Sequence, residues 1–134
     1  MRVILDTNVF VSGIFFSGPP YRILDAWRKG ELTLVASPSI LEEYRRVGQE
    51  LAEQFKGVDL TPILELLAVA AEVIETKDLP QPVCSDLDDD KFLACAKASK
   101  TKYICTGDKA LLKTSGYRGI KVMTPRAFLQ EYLK

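Results

Sequence analysis

Four short runs of aliphatic and β-branched residues, at positions 2–5, 32–36, 103–106 and 120–123, set the frame for any fold this chain can adopt. Each run is bounded by turn-forming residues, and the stretches between them carry apolar side chains at helical spacing. Strands separated by helices pair in parallel through right-handed crossovers. The expected architecture is therefore α/β, a three-layer α/β/α sandwich around a central, mostly parallel sheet. Val73 and Ile74 offer one further, shorter strand.

The helices are marked by their ends. Ser37 with Pro38, Thr61 with Pro62, and Thr124 with Pro125 each join a capping hydroxyl to the residue favoured at the first helical position. Tyr21, Leu24 and Trp27 recur at helical spacing after two prolines and stop at Gly30. Another helix is expected from about Asp88 to Ser99, a short one after Gly107 and Asp108, and a last one over positions 126–133. With 134 residues, 47% of them apolar, the chain is expected to form a single domain over positions 1–134.

Histidine is absent. That removes Ser-His-Asp and Cys-His relays, imidazole acid–base catalysis and His-ligated zinc, and leaves carboxylates, hydroxyls, amines, thiols or a metal to carry any chemistry. The 18 basic and 18 acidic residues cancel, so bulk charge gives no drive towards nucleic acid. Cys84, Cys95 and Cys105 form no CxxC pair and are expected to be buried, reduced thiols. No apolar run is long enough for a membrane span and no signal sequence is recognisable, so no membrane association is expected and the expected location is cytoplasmic.

A sheet of this kind binds ligands beyond the carboxyl ends of its strands, where the strand order reverses. Asp6 and Asp108 both stand at such ends and converge if their strands are neighbours, while Asp86, Asp88, Asp89 and Asp90 head a helix that starts on the same side. Gathered carboxylates repel unless a cation reverses the penalty, and an oxygen-only donor set suits Mg²⁺ or Mn²⁺. Simple helix capping accounts equally well for the run 86–90 and for Asp108. Asp6, at the end of an apolar strand, is expected to be partly buried and to need a partner.

The helix after Pro38 separates its two glutamates. Glu42 shares a face with Arg45 and Arg46 and is assigned to solvent, whereas Glu43 shares a face with Ile40 and Val47 and is assigned to the site. Leu41, Tyr44, Leu51 and Phe55 form the core stripe. Asp90, one turn before Leu93 and Ala94, is preferred for the site over Asp88, the better cap, and Asp89, read as solvated, with Asp86 as a supporting or additional ligand. The balancing lysines and arginines are expected to lie away from this edge.

The segments LDTNV, SPSILEEY, SDLDDDKFLACA and TGDKALL, in this order and spacing, resemble the PIN-domain nucleases, and the closing VMTPRAFL resembles the branch of toxin components of toxin-antitoxin systems. The resemblance implies a PIN fold, a Mg²⁺ or Mn²⁺ centre and cleavage of RNA. Its acidic positions fall on Asp6, Glu43, Asp90 and Asp108 as catalytic and metal-holding residues, with Asn8 and Thr106 as polar neighbours that orient them. It further implies a cognate antitoxin and a homodimer as partners. The expected reaction is metal-assisted phosphodiester hydrolysis with water as nucleophile, leaving 5′-phosphate and 3′-hydroxyl ends.

Arg22, Lys109 and Lys113, with Ser12 or Ser17 in the loop after the first strand, are candidate substrate contacts by position. Two other readings stay open. One is a Mg²⁺-dependent phosphatase with Asp6 as nucleophile, disfavoured because Asn8 stands where haloacid-dehalogenase-like phosphatases place a second aspartate. The other is a non-catalytic binding module that keeps the fold.

Overall fold

The computed structural model describes residues 1–133. Five strands, β1 (Arg2–Leu5), β2 (Thr33–Ala36), β3 (Glu72–Val73), β4 (Tyr103–Cys105) and β5 (Lys121–Met123), form one all-parallel sheet in the order β3-β2-β1-β4-β5. Among the described residues seven helices flank it: α1 (Thr7–Phe15), α2 (Pro19–Arg28), α3 (Pro38–Gln54), α4 (Thr61–Ala70), α5 (Asp90–Ser99), α6 (Lys109–Leu112) and α7 (Pro125–Tyr132). This is the expected three-layer α/β/α arrangement. The short strand offered by Val73 and Ile74 is present as a two-residue edge, shifted by one position to Glu72–Val73.

β1 lies at the centre, with Val3, Ile4 and Leu5 fully buried, as expected for a strand covered on both faces. The chain builds outwards from it through β2 to β3, then returns to its other side for β4 and β5. The reversal therefore falls between β1 and β4, where a ligand crevice is expected. Leu5 pairs with Cys105, so Asp6 and Thr106 leave the sheet side by side. The Asp6 N–H donates to the Cys105 carbonyl at 2.9 Å and the Thr106 N–H to the Met123 carbonyl at 2.9 Å, which holds these strand ends level.

Local chemistry explains most of the helix starts. The Ser37 hydroxyl accepts the Ile40 N–H at 3.3 Å and the Thr124 hydroxyl accepts the Ala127 N–H at 3.2 Å, so both act as N-caps. Thr61 does not. It is already helical, and the Asp59 carboxylate accepts its N–H at 3.0 Å instead. The expected helix at Asp88 also begins later, because a 3₁₀ turn (Leu87–Asp89) precedes α5.

The segment after β1, read from sequence as a loop, is helix α1. Val9, Phe10 and Val11 are buried on it and Ile14 and Phe15 pack against the core, so it lacks the polar stripe that reveals an amphipathic helix. Ser12 is therefore helical. α1 packs closely on α2: a Cβ at Gly13 would fall 2.6 Å from the Leu24 side chain and 2.8 Å from the Pro20 carbonyl oxygen.

α3 is fixed against the end of β1 by Tyr44. Its ring stacks on Phe10 at 4.1 Å between centroids, and its hydroxyl donates to the Leu5 carbonyl. That contact sets the position of the neighbouring Glu43. At the far end of α3, Phe55 departs from the expected core stripe: it is 39% exposed and packs against Phe15 and Phe16. The three cysteines are buried and unpaired, as the sequence implied. No helix among the described residues is long and apolar enough to cross a membrane.

Candidate metal centre

Asp6 enters the crevice directly from β1 and is only 5% exposed. Its Oδ2 accepts the Thr106 hydroxyl at 2.5 Å, and the Thr106 oxygen accepts the Asp108 N–H at 3.0 Å. One threonine at the end of β4 therefore orients both acids. Burial raises the Asp6 pKa above its ordinary value; the Thr106 bond opposes this, and the charges of Asp108 and Glu43 add to it. Asp108 caps α6 by accepting the Ala110 N–H through Oδ1 at 3.0 Å, which leaves its second oxygen for another partner.

Asp86, Asp89 and Asp108 bring one carboxylate oxygen each to within 4.8 Å of one another. Asp86 also caps the 3₁₀ turn, accepting the Asp88 N–H at 3.1 Å. Asp89 is different, since its Oδ2 is buried without a hydrogen-bond partner. Its carboxyl is pushed up to about 8, first by burial, then by a proton shared with Asp108, and then by the charges of Asp6, Asp86 and Asp108. A buried carboxylate oxygen without a donor is costly, and a cation would remove that cost. Every donor around it is oxygen, so the residues fit a hard divalent ion, Mg²⁺ or Mn²⁺.

Asp90 does not face this group. Its two oxygens accept the N–H groups of Cys84 at 2.7 Å and Val83 at 3.1 Å, so it holds the incoming loop. The expectation that Asp90 enters the site and Asp89 is solvated is thus reversed. The reason is the incoming loop, whose Val83 and Cys84 N–H groups occupy both Asp90 oxygens, a contact that helical spacing along α5 does not signal. Asn8 is exposed, and its side chain makes no hydrogen bond to an acid among the described residues. Its neighbour Thr7 does, donating to Glu43 Oε2.

Glu43 points inwards as expected, with its side chain 13% exposed, while Glu42 pairs with Arg45 on the surface. Glu43 is not free, however. Its Oε1 lies 2.8 Å from the Lys91 ammonium, which also reaches Asp88 at 3.2 Å. Burial opposes the charge on Lys91, but its bonds to Glu43 and Asp88 outweigh it and the pKa is raised. A cation therefore lies among the acids, contrary to the expected separation. The sequence signalled only the Asp88 pairing, three residues away on the same turn. Glu43 is 48 positions distant and carries no local signal.

A family model described as a PIN domain matches residues 2–110. The chain belongs to the PIN domain family. No curated protein matches it. PIN domains are generally nucleases, hydrolases that act on nucleic acid and usually use divalent metals. The match spans Asp6, Glu43, Asp86, Asp89 and Asp108, so every acid of the crevice lies within the PIN frame.

Beside the PIN acids a pocket of about 430 Å³ opens between the loop at 76–82 and α5, lined by Ser39, Lys77, Gln81, Asp88 and Lys91 among others. Lys109 and Lys113 are exposed on and just after α6, close behind Asp108. Arg22 lies elsewhere. It shares a separate pocket of about 240 Å³ with Glu31, which leads into β2, and Leu133, which follows α7, and so belongs to the opposite, amino-terminal edge of the sheet.

Proposed function

We propose that this PIN-domain protein is a Mg²⁺- or Mn²⁺-dependent endoribonuclease and the toxin component of a toxin-antitoxin system. The observation that carries the catalytic part is the buried, partnerless Oδ2 of Asp89 beside Asp86 and Asp108. The RNA substrate, the toxin role, a cognate antitoxin and a homodimer follow from the resemblance of the motifs, including VMTPRAFL.

Asp86, Asp89 and Asp108, with Asp6 beside them, would hold the ion. A bound divalent ion supplies two things here, a water acidic enough to attack at neutral pH and charge neutralisation on the phosphate. The rest is done by the chain. Thr106 fixes Asp6 and the Asp108 peptide in one orientation before substrate arrives, so little reorganisation is needed at the moment of reaction. Asp6, held by Thr106 at the end of β1, would take the proton of the attacking water. Lys109 and Lys113, exposed on and just after the helix that Asp108 caps, would contribute attraction to a phosphate backbone that salt weakens. With water as nucleophile, the products carry 5′-phosphate and 3′-hydroxyl ends.

The phosphatase reading asks Asp6 to attack a phosphorus atom directly, and it is disfavoured because Asn8 stands where such phosphatases place a second aspartate. Incubation with labelled single-stranded RNA and with p-nitrophenyl phosphate, each with Mg²⁺, Mn²⁺ or EDTA, separates the readings. RNA is expected to be cut only with metal, and Asp6→Asn is expected to lower the rate about 10²–10⁴-fold, as for loss of a general base. Full magnesium-dependent RNA cleavage by Asp6→Asn overturns this mechanism.

A further inference from the structure

α5 and the turn before it present opposite charges two residues apart. Asp89 belongs to the aspartate group, whereas Lys91 reaches the other way, to α3, where its ammonium lies 2.8 Å from Glu43 Oε1 and 3.2 Å from an Asp88 oxygen. The Lys91 side chain is only 19% exposed. The other Glu43 oxygen takes the Thr7 hydroxyl, and Arg46 adds a second positive charge at 3.9 Å. Both oxygens of Glu43 are thus engaged by the chain itself.

We infer that Lys91 is a positioning residue that stands in for a second cation, so that the centre takes one divalent ion through its aspartates and leaves Glu43 outside the coordination sphere. The inference rests on the reading of the aspartates as a metal centre. Among the described residues Glu43 belongs to no group of acids converging within 4.8 Å; Asp86, Asp89 and Asp108 do. To ligate an ion, Glu43 would have to give up the Thr7 hydroxyl or release Lys91, and the second course leaves a largely buried ammonium with only an exposed aspartate as partner, which is strongly unfavourable. Two-metal sites place their ions about 3.5–4 Å apart to share the charge of the phosphate. Here a fixed ammonium provides positive charge on the Glu43 side of the crevice without a second binding event. It also ties α3 to α5, so the same contact that neutralises Glu43 sets the distance between the helices that flank the crevice.

The test counts ions without reference to turnover. Mn²⁺ is titrated calorimetrically into the full chain, and its electron paramagnetic resonance spectrum reports whether two ions lie close enough to broaden one another. One ion per chain is expected for the native protein and for Lys91→Arg. Two are expected for Lys91→Met, the second disappearing in the Lys91→Met, Glu43→Gln double variant. If Lys91→Met does not fold, Lys91→Gln, which keeps a donor without the charge, carries the same expectation of a second ion. Two ions in the native protein, with Glu43→Gln removing one, overturn the role of Lys91 and leave the nuclease reading intact. A single ion in the uncharged Lys91 variants also overturns it. No bound ion in any form overturns the metal centre and this inference together.

Discussion

Thr106 shows how much of this site depends on one side chain. It is fully buried, and its hydroxyl donates to Asp6 and accepts from the Asp108 peptide. Thr106→Val keeps the shape and removes both bonds. It is expected to destabilise the protein by about 1–3 kcal/mol in urea denaturation, the cost of leaving buried polar groups unsatisfied. Metal affinity is expected to fall about 10–100-fold, as when the partner that orients a ligand is removed. Asp89 makes the complementary case. Its carboxyl titrates at about 8 in the folded chain against an ordinary 3.8. Between those values the folded chain holds a proton that the unfolded chain has released, so this group favours folding at low pH and loses that contribution as pH rises through about 8. In EDTA, thermal unfolding should show a downward slope across this window that Asp89→Asn flattens; Mn²⁺, which displaces the proton, should also flatten it. Asp6, Glu43, Asp108 and Thr106 were legible from the sequence because strand ends and one helix face determine where they point. Thr7 and Lys91 were not, because what they touch is brought near only by the fold.

At the scale of elements, the strands announced themselves, since short apolar runs bounded by turn residues have few alternatives. The helices were legible where they had polar faces or hydroxyl caps. α1 has neither, as it is buried nearly all round and begins directly after the strand, and the sequence therefore reads as a loop. Its packing yields a sharp expectation. A methyl group at Gly13 would meet Leu24 and the Pro20 carbonyl, so Gly13→Ala should cost about 1–3 kcal/mol of overpacking despite alanine's better helix propensity. Thermal denaturation of the variant measures this directly, and a rise in melting temperature would show that α2 yields easily. The start of α5 is the other lesson at this scale. The 3₁₀ turn carries Asp86 and Asp89 while the loop at Val83 and Cys84 engages Asp90, and no count along an ideal α-helix can anticipate that loop contact. Asp90 remains important, but as the residue that holds the loop at Val83 and Cys84 and so delivers Asp86.

At the scale of the whole molecule, the strand order explains why the acids meet at all. β1 and β4 are far apart in sequence and adjacent in the sheet, and their carboxyl ends form the crevice at the topological reversal. The absence of histidine fits the proposed centre, because carboxylate oxygens and a bound ion would supply the chemistry without imidazole. The zero net charge is distributed unevenly, with acids concentrated at one edge, and Lys91 partly offsets them from within. A polyanion approaching that edge needs the ion in place first. Anomalous diffraction from a crystal soaked in Mn²⁺ tests this most directly. A peak liganded by Asp89 and Asp108, with Asp86 or Asp6 completing the set, is the result expected. A peak held instead by Asp90, or no peak at saturating Mn²⁺, would contradict the account.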